Sequence, residues 1–368
     1  MYIPQDELIA PLPPLNPGKT PEEWRRRRKE ILDLIVDLEY GGMPPQPESV
    51  RLEPLHMARH IGVETYKVHI NEKFNFLLQL FTPPAAFTGK RPVLLTGDAC
   101  YKKCNEEVIA DANRRGFIVA KFNRNEFAHD MYTMRRDGGI YEMYPDLTFG
   151  ALSAWAWGYS RALDALEQID CADATQVAIT GHSRGGKTIL LAGATDERIA
   201  YTNPNNSGAH GCGCWRYVQN NPAAGEGEDK RSERLADLTR SVPYWLGPEM
   251  PKYNGRDGEI PHDMHFFKAL VAPRCFLETE ALADVWSNPR GSYLTYLAAK
   301  EVYRFLGAED NISAFYREGG HNHGLNDFIT LLDFCDCKRE GRPLPEGYMR
   351  NPFPGLEKIY DWEAPKAE

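Results

Sequence analysis

Gln176-Val177-Ala178-Ile179-Thr180-Gly181-His182-Ser183-Arg184-Gly185-Gly186-Lys187-Thr188-Ile189-Leu190-Leu191 reads as a short apolar strand, a serine flanked by glycines, and then a helix. Gly181-His182-Ser183-Arg184-Gly185 fits G-x-S-x-G, where the glycines leave room for a serine on a sharp strand-to-helix turn that lifts its hydroxyl above a sheet. The bare pattern is loose, and the strand before it and the helix after it are the context that gives it meaning. A phosphate-cradling loop is the weaker reading of this glycine-rich turn.

Around this segment, the 368 residues are 42% hydrophobic, 26% charged and 11% aromatic, enough apolar material for a sizeable core. One domain over 1–368 is the expectation, because α/β units often reach this length unsplit. Acids outnumber bases by 52 to 43, a formal net charge of −9, so the basic excess of a nucleic-acid binder is missing. No run of about 18 apolar residues offers to span a bilayer. The opening Met1-Tyr2-Ile3-Pro4-Gln5-Asp6-Glu7 lacks the basic-then-apolar order of a secretory leader. The expectation is a cytoplasmic protein, or a secreted one if a leader has been trimmed away. The eight cysteines are too sparse for a disulfide scaffold, and the C-x-C pairs Cys212/Cys214 and Cys335/Cys337 differ from the C-x-x-C of zinc ribbons, so reduced thiols are expected.

Along the chain, residues 4–19 carry five prolines and read as an extended arm. A helix follows, capped by Thr20 with Pro21 at its first position and Glu23 completing a capping box, its apolar stripe formed by Ile31, Leu34, Ile35 and Leu38. Arm and helix together occupy 1–45. The basic run Arg25-Arg26-Arg27-Arg28-Lys29 reads as a solvated face. Tyr66, Val68 and Ile70 alternate, and a denser run, Phe74–Phe81, ends at Pro83-Pro84, which suggests an antiparallel meander. From residue 92 onward the grammar is βα: strands at 92–96, 117–122, 176–180, 200–204, 274–280 and 312–317 alternate with helices at 104–115, 149–169, 291–306 and 324–336. The sheet is therefore expected to be mostly parallel, with flanking helices. Residues 208–265, rich in Gly, Pro, Asn and charge, read as a cap inserted over the C-terminal edge of that sheet.

A serine nucleophile needs an imidazole to take its proton and an acid to orient that imidazole, in the chain order serine, acid, histidine. Asp284, on the loop after strand 274–280, is the leading acid, with Glu280 and Glu278 as competitors closer to or within the strand. Gly319-Gly320-His321-Asn322-His323 follows the last strand, so His321 leads as the base and His323 is either a pocket residue or the base itself. His262 and His265 form an H-x-x-H with no evident third ligand, and they read as core or surface residues. Neither a metal nor a cofactor is called for. For the oxyanion, the backbone N–H of Arg184 is one donor by position, and the loop Gly97-Asp98-Ala99 is expected to supply the second. Arg184 and Lys187 lie one and four residues past Ser183. Two cations there suit a substrate with negative or strongly polar groups beside its ester, unless Lys187 merely pairs with an acid on a neighbouring loop.

With these residues in view, the chain from about Gly97 to Phe334 resembles carbohydrate esterase family fifteen, the glucuronoyl esterases, which have the α/β-hydrolase fold. The resemblance is carried by Ala151-Leu152-Ser153-Ala154-Trp155-Ala156-Trp157-Gly158, Gly181-His182-Ser183-Arg184-Gly185-Gly186-Lys187-Thr188 and Asp196-Glu197-Arg198. Asn205-Asn206-Ser207-Gly208, Asp284-Val285-Trp286 with Pro289-Arg290-Gly291, and Gly319-Gly320-His321 extend it in the same order. It implies metal-free cleavage of esters between 4-O-methyl-glucuronic acid and lignin alcohols. It further implies Ser183 as nucleophile, Arg184 as the oxyanion-stabilising arginine, Lys187 as a ligand of sugar hydroxyls, Trp286 packed against the uronate, and Glu233 as a sugar-binding glutamate of the cap. The family's acid is often a glutamate where this chain has Asn206, so the role passes to Asp284. Fungal members use the second histidine of Gly-Gly-His-x-His-Cys and pair that cysteine with one before the serine; Gly324 and His182 stand at those positions here. The expected partner is a small or oligosaccharide uronate ester, with no nucleic acid and no membrane. The rivals are an acetyl-xylan or other carbohydrate esterase on the same fold, and a non-catalytic carbohydrate-binding relative.

Overall fold

The computed structural model describes residues 5–83, 88–131, 133 and 136–365. The start of the chain read for a leader, residues 1–4, and Pro84 of the Pro83-Pro84 break lie outside the described residues. The arm is extended but not free. Its strand β1 (Glu7–Leu8) pairs with Tyr217–Val218, in the stretch read as a cap, and the buried Asp6 accepts from Tyr217 Oη at 2.7 Å.

Helix α1 (Pro21–Tyr40) starts as its sequence requires, with Thr20 Oγ1 accepting from Glu23 N at 3.2 Å. The capping box is displaced by one residue, because the Glu23 carboxylate takes the N–H of Lys19. The apolar stripe also differs from expectation. Trp24, Ile31, Ile35 and Tyr40 are buried, whereas Leu34 is 40% exposed. Nor is the basic run wholly solvated: Arg28 reaches across to the carbonyls of Leu270 and Ala194 and to Glu197.

Three antiparallel strands, β2 (Val50–Ala58), β3 (Val63–Ile70) and β4 (Phe74–Phe81), form the expected meander. The chain then enters the βα region with β5 (Arg91–Thr96), α2 (Glu106–Arg114), β6 (Ile118–Lys121), α3 (Ala151–Leu166), β7 (Ala172–His182), α4 (Arg184–Thr195) and β8 (Tyr201–Asn205). After β8 come β9 (Tyr217–Val218), α5 (Leu235–Ser241) and α6 (Met264–Val271), followed by β10 (Cys275–Ala281), α7 (Pro289–Phe305), β11 (Ile312–Arg317) and α8 (Leu325–Glu340). The nine-stranded sheet runs β11-β10-β8-β7-β5-β6-β4-β3-β2. Along the run β11-β10-β8-β7-β5-β6 neighbouring strands pair in parallel, and the meander joins antiparallel through β4 and β6.

Strands β5 and β8 are buried almost throughout, as parallel strands covered on both faces must be. Every residue of α3 except Asp164 is buried. From β5 the chain adds β6 on one side and β7 on the other, so the strand order reverses there, and the C-terminal ends of these strands frame a crevice. The region read as a cap is split in character: residues 208–219 are buried, and 223–230 are largely exposed. All eight cysteines are free thiols. Among the described residues, no helix is long and apolar enough to cross a membrane.

Candidate active site

β7 ends at His182, α4 begins at Arg184, and Ser183 alone makes the turn, with φ 56° and ψ −119°. Positive φ is sterically costly for a residue with a Cβ, so Ser183 is held there by its surroundings. Its N–H donates to Asn205 O at 2.9 Å. A Cβ at Gly181 would sit 2.6 Å from Gly185 O, and one at Gly185 would sit 2.4 Å from an Asp98 oxygen, so each of these positions requires glycine. Residues 181–188 also spell G-x-x-x-x-G-K-[ST], but a single residue between strand and helix leaves no loop to wrap a phosphate.

Asp284 lies on the turn after β10 and His321 on the loop after β11, and the fold brings them together with Asp284 Oδ2 2.6 Å from His321 Nδ1. A second donor reaches the same oxygen, Asn206 Nδ2 at 2.6 Å. Burial pushes the Asp284 carboxyl up, but the bonds from His321 and Asn206 outweigh it and hold the group below its ordinary value. An ionised carboxylate only accepts, so Nδ1 of His321 carries the proton of this bond, and Nε2 is the ring nitrogen not held by Asp284. The His321 side chain is 41% exposed, open to a reactant.

The other candidates lie apart from this couple. Glu278 is buried against Lys268 and accepts from Tyr316 Oη at 2.7 Å. Glu280 is buried, contacts Ser292 Oγ at 3.3 Å, and is raised well above the ordinary carboxyl value by burial and by the nearby Glu278 and Asp284. His323 is buried with its ring stacked 4.1 Å from Phe328, and burial keeps it neutral. His182 stands between the two histidines, its ring 4.5 Å from His321 and 5.8 Å from His323. His262 bonds to Glu39 and His265 to Pro13 O, both in the core.

Lys187 is buried, and its ammonium donates to Ser207 O at 2.8 Å, to Ala209 O and to Glu233 Oε2 at 2.6 Å. An ammonium has three donors, so a sugar hydroxyl reaches Lys187 only by replacing one of these acceptors. The pairing with an acid on a neighbouring loop is thus realised, and that acid is Glu233. Its own N–H bonds to Trp286 O at 3.0 Å, joining it to the half-buried tryptophan.

The loop after β5 departs from expectation. Gly97 N is taken by Tyr159 Oη at 2.6 Å, Asp98 N by Thr96 Oγ1 at 3.2 Å and Ala99 N by Phe122 O at 3.3 Å, so none of these amides is free for an oxyanion. Arg184, as the first residue of α4, keeps an amide without an intrahelical acceptor. Its guanidinium bonds to Asp130 at 2.9 Å and lies 4.9 Å from the Trp245 ring. Asp130, Tyr101, Tyr244 and Trp245 carry no motif in the sequence. Among the described residues, no cluster of three or more His, Cys, Asp or Glu side chains is placed to hold a metal.

A strained serine at a strand-to-helix turn, a carboxylate and histidine from two later strand ends, and a mostly parallel sheet beneath them define an α/β-hydrolase. Known proteins give the particular family. The family model described as "Glucuronyl esterase, fungi" matches residues 70–307. The chain belongs to this glucuronyl esterase family. It is 29% identical over 311 residues to a 4-O-methyl-glucuronoyl methylesterase of Podospora anserina, covering 82% of this chain but 60% of that protein. It is 30% identical over 329 residues to one of Schizophyllum commune, covering 86% of this chain and 79% of that one. Among solved structures, a carbohydrate esterase family 15 glucuronoyl esterase from Caldicellulosiruptor kristjansonii superposes with a TM-score of 0.83 at 28% identity, covering 97% of this chain and 98% of that chain. The Hypocrea jecorina catalytic domain shares the fold, with a TM-score of 0.79 at 24% identity over 98% of each chain.

Proposed function

We propose that this protein is a serine carboxylic ester hydrolase that cleaves esters of glucuronic or 4-O-methyl-glucuronic acid. The observation that carries the reading is the 2.6 Å contact of Asp284 with His321 in the crevice of a strained Ser183. Membership of the glucuronyl esterase family and the names of the relatives support the choice of acid.

Ser183 Oγ attacks the ester carbonyl while His321 Nε2 takes its proton, and Asp284 steadies the imidazolium. The amide and guanidinium of Arg184 hold the oxyanion. As the tetrahedral adduct collapses, His321 protonates the departing alcohol and an acyl-enzyme remains. Water, deprotonated by His321, then attacks the acyl carbon, and Ser183 regains its proton as the uronate leaves. Glu233, oriented by Lys187, and Trp286 line the sugar side, and His323 backs the histidine loop. Residues 208–265 act as a cap within one catalytic domain. With a net charge of −9 the partner is the uronate ester rather than nucleic acid.

Hydrolysis of benzyl glucuronate and of an acetyl ester, by the native protein and by Ser183→Ala, tests this. Serine-dependent cleavage of the glucuronate ester alone is expected. Cleavage of the acetyl ester alone moves the substrate to the acetyl-xylan class, and cleavage of neither leaves a binding protein.

A further inference from the structure

Asp130, on the loop after β6, is a meeting point that the serine mechanism does not use. Its Oδ2 accepts from Arg184 Nη1 at 2.9 Å and from Tyr101 Oη at 2.9 Å. Its Oδ1 accepts from Tyr244 Oη at 3.0 Å and Trp245 Nε1 at 3.0 Å. The carboxylate is therefore held at both oxygens by donors from three separate segments of the chain. Burial raises it, but Arg184 more than compensates, so it is ionised.

The same group holds Arg184 from two directions. Asp130 takes one edge of the guanidinium, and the indole of Trp245, fixed by its own bond to Asp130, lies 4.9 Å from it. Behind them, Arg124 is fully buried, 4.6 Å from the Trp155 ring, within 3.9 Å of Asp130 and 3.2 Å of Asp98. Asp98 in turn accepts the N–H of His182, the residue before Ser183, at 2.9 Å. One chain of charges thus runs from the base of the serine turn to the guanidinium beside it.

Resting on the reading of Ser183 and Arg184 above, we propose that Asp130 is the positioning residue for Arg184, pinning its guanidinium toward the oxyanion and cancelling its charge against the anionic product. The ester substrate is neutral at its carbonyl, whereas the released uronate is an anion. An unpaired arginine beside Ser183 forms a bidentate pair with that carboxylate and holds it. With Nη1 committed to Asp130, Arg184 offers its remaining N–H groups to an oxyanion without offering a full positive charge to the product. Fixed orientation speeds the chemical step, and neutralisation speeds release.

The test is Asp130→Asn in the full chain, with benzyl glucuronate as substrate and free glucuronate as inhibitor. The expected result is a fall in kcat of roughly 10- to 100-fold, as for a misplaced oxyanion donor. Inhibition by free glucuronate is expected to tighten roughly 10-fold as Arg184 gains a free edge. In an Arg184→Met background the same substitution adds less than about 2-fold, because it acts through the arginine. Tyr244→Phe, which removes one of the bonds on Asp130, moves both readouts the same way by a smaller amount and guards against misfolding of the first variant. Unchanged product inhibition, or an equal loss with and without Arg184, overturns the proposal. A native protein that cleaves no glucuronate ester overturns the underlying reading instead.

Discussion

The side-chain amide of Asn206 donates to Asp284 Oδ2 at 2.6 Å, the same oxygen that takes the Nδ1 proton of His321. Ser287 Oγ adds to this cluster, donating to Asn206 O at 3.1 Å and lying 3.4 Å from His321 Nδ1. At position 206 this chain places a donor that orients and stabilises the carboxylate of Asp284 on another loop. His321 contributes most to holding the Asp284 carboxyl below its ordinary value, and the Asn206 amide adds to it.

This arrangement separates the acids that compete in the sequence. Asp284→Asn leaves an amide that cannot stabilise the imidazolium, and kcat is expected to fall about 10³- to 10⁴-fold. Glu280→Gln is expected to leave kcat essentially unchanged. Burial raises Glu280 well above its ordinary value, so its protonated form favours folding at low pH and that advantage is lost as pH climbs above about 4.3, the unfolded value. Gln cannot ionise, so the variant loses less stability across that climb, and thermal midpoints measured at several pH values check the sign.

The strain at Ser183 gives a second expectation. Its φ of 56° is open to glycine and costly for alanine. Ser183→Gly and Ser183→Ala both abolish turnover, but the glycine variant should be more stable by about 1 kcal/mol, after the entropy of the unfolded glycine is counted. Urea midpoints of the two inactive variants decide it, and an alanine variant at least as stable as the glycine one removes the claim of strain.

Much of this was legible in the residues because it is local. The apolar run before Gly181, the glycines that Asp98 and the Gly185 carbonyl require, and Asp284 and His321 at strand ends all follow from short-range rules. What was not legible depends on contacts between distant segments. Leu34 fits a helical stripe, yet α1 buries Trp24 and Tyr40 beside the expected Ile31 and Ile35 and leaves Leu34 out, because the packing partner sets which face is buried. Gly97-Asp98-Ala99 reads as an oxyanion loop until Tyr159, Thr96 and Phe122 are seen to take its amides. Asp130 has no neighbours in sequence to betray it, since Tyr101, Arg184 and Tyr244 meet it only in space.

Lys187 and Glu233 are expected to behave as one unit. Each is nearly inaccessible, and their 2.6 Å pair shares the lysine with two backbone carbonyls. Lys187→Met leaves a buried carboxylate unpaired and should destabilise by about 3 kcal/mol, with KM for benzyl glucuronate raised because Glu233 loses its orientation. Adding Glu233→Gln to that variant should restore much of the stability and none of the KM. Additive losses in stability would show that the two side chains act independently.

Glu39 tests how the first helix is tied to the crevice. Its carboxylate, fully buried at the end of α1, bonds to His210 and to His262, and His210 follows the Ala209 carbonyl that takes Lys187. Burial raises Glu39, but its contacts with His210 and His262 prevail and bring it down to about 2. A depressed carboxyl contributes stability above its unfolded value of about 4.3, and that contribution is lost as pH falls through the folded one. Burial lowers His210 despite Glu39, so its neutral form also favours folding, and falling pH weakens that contribution from about 6.5 downward. Glu39→Gln should therefore cost about 3 kcal/mol near neutrality, remove the loss between pH 4.3 and 2, and leave only the histidine range. Urea midpoints of both proteins across this range give the answer, and a difference that stays constant with pH would mean that Glu39 is not charged in the folded protein.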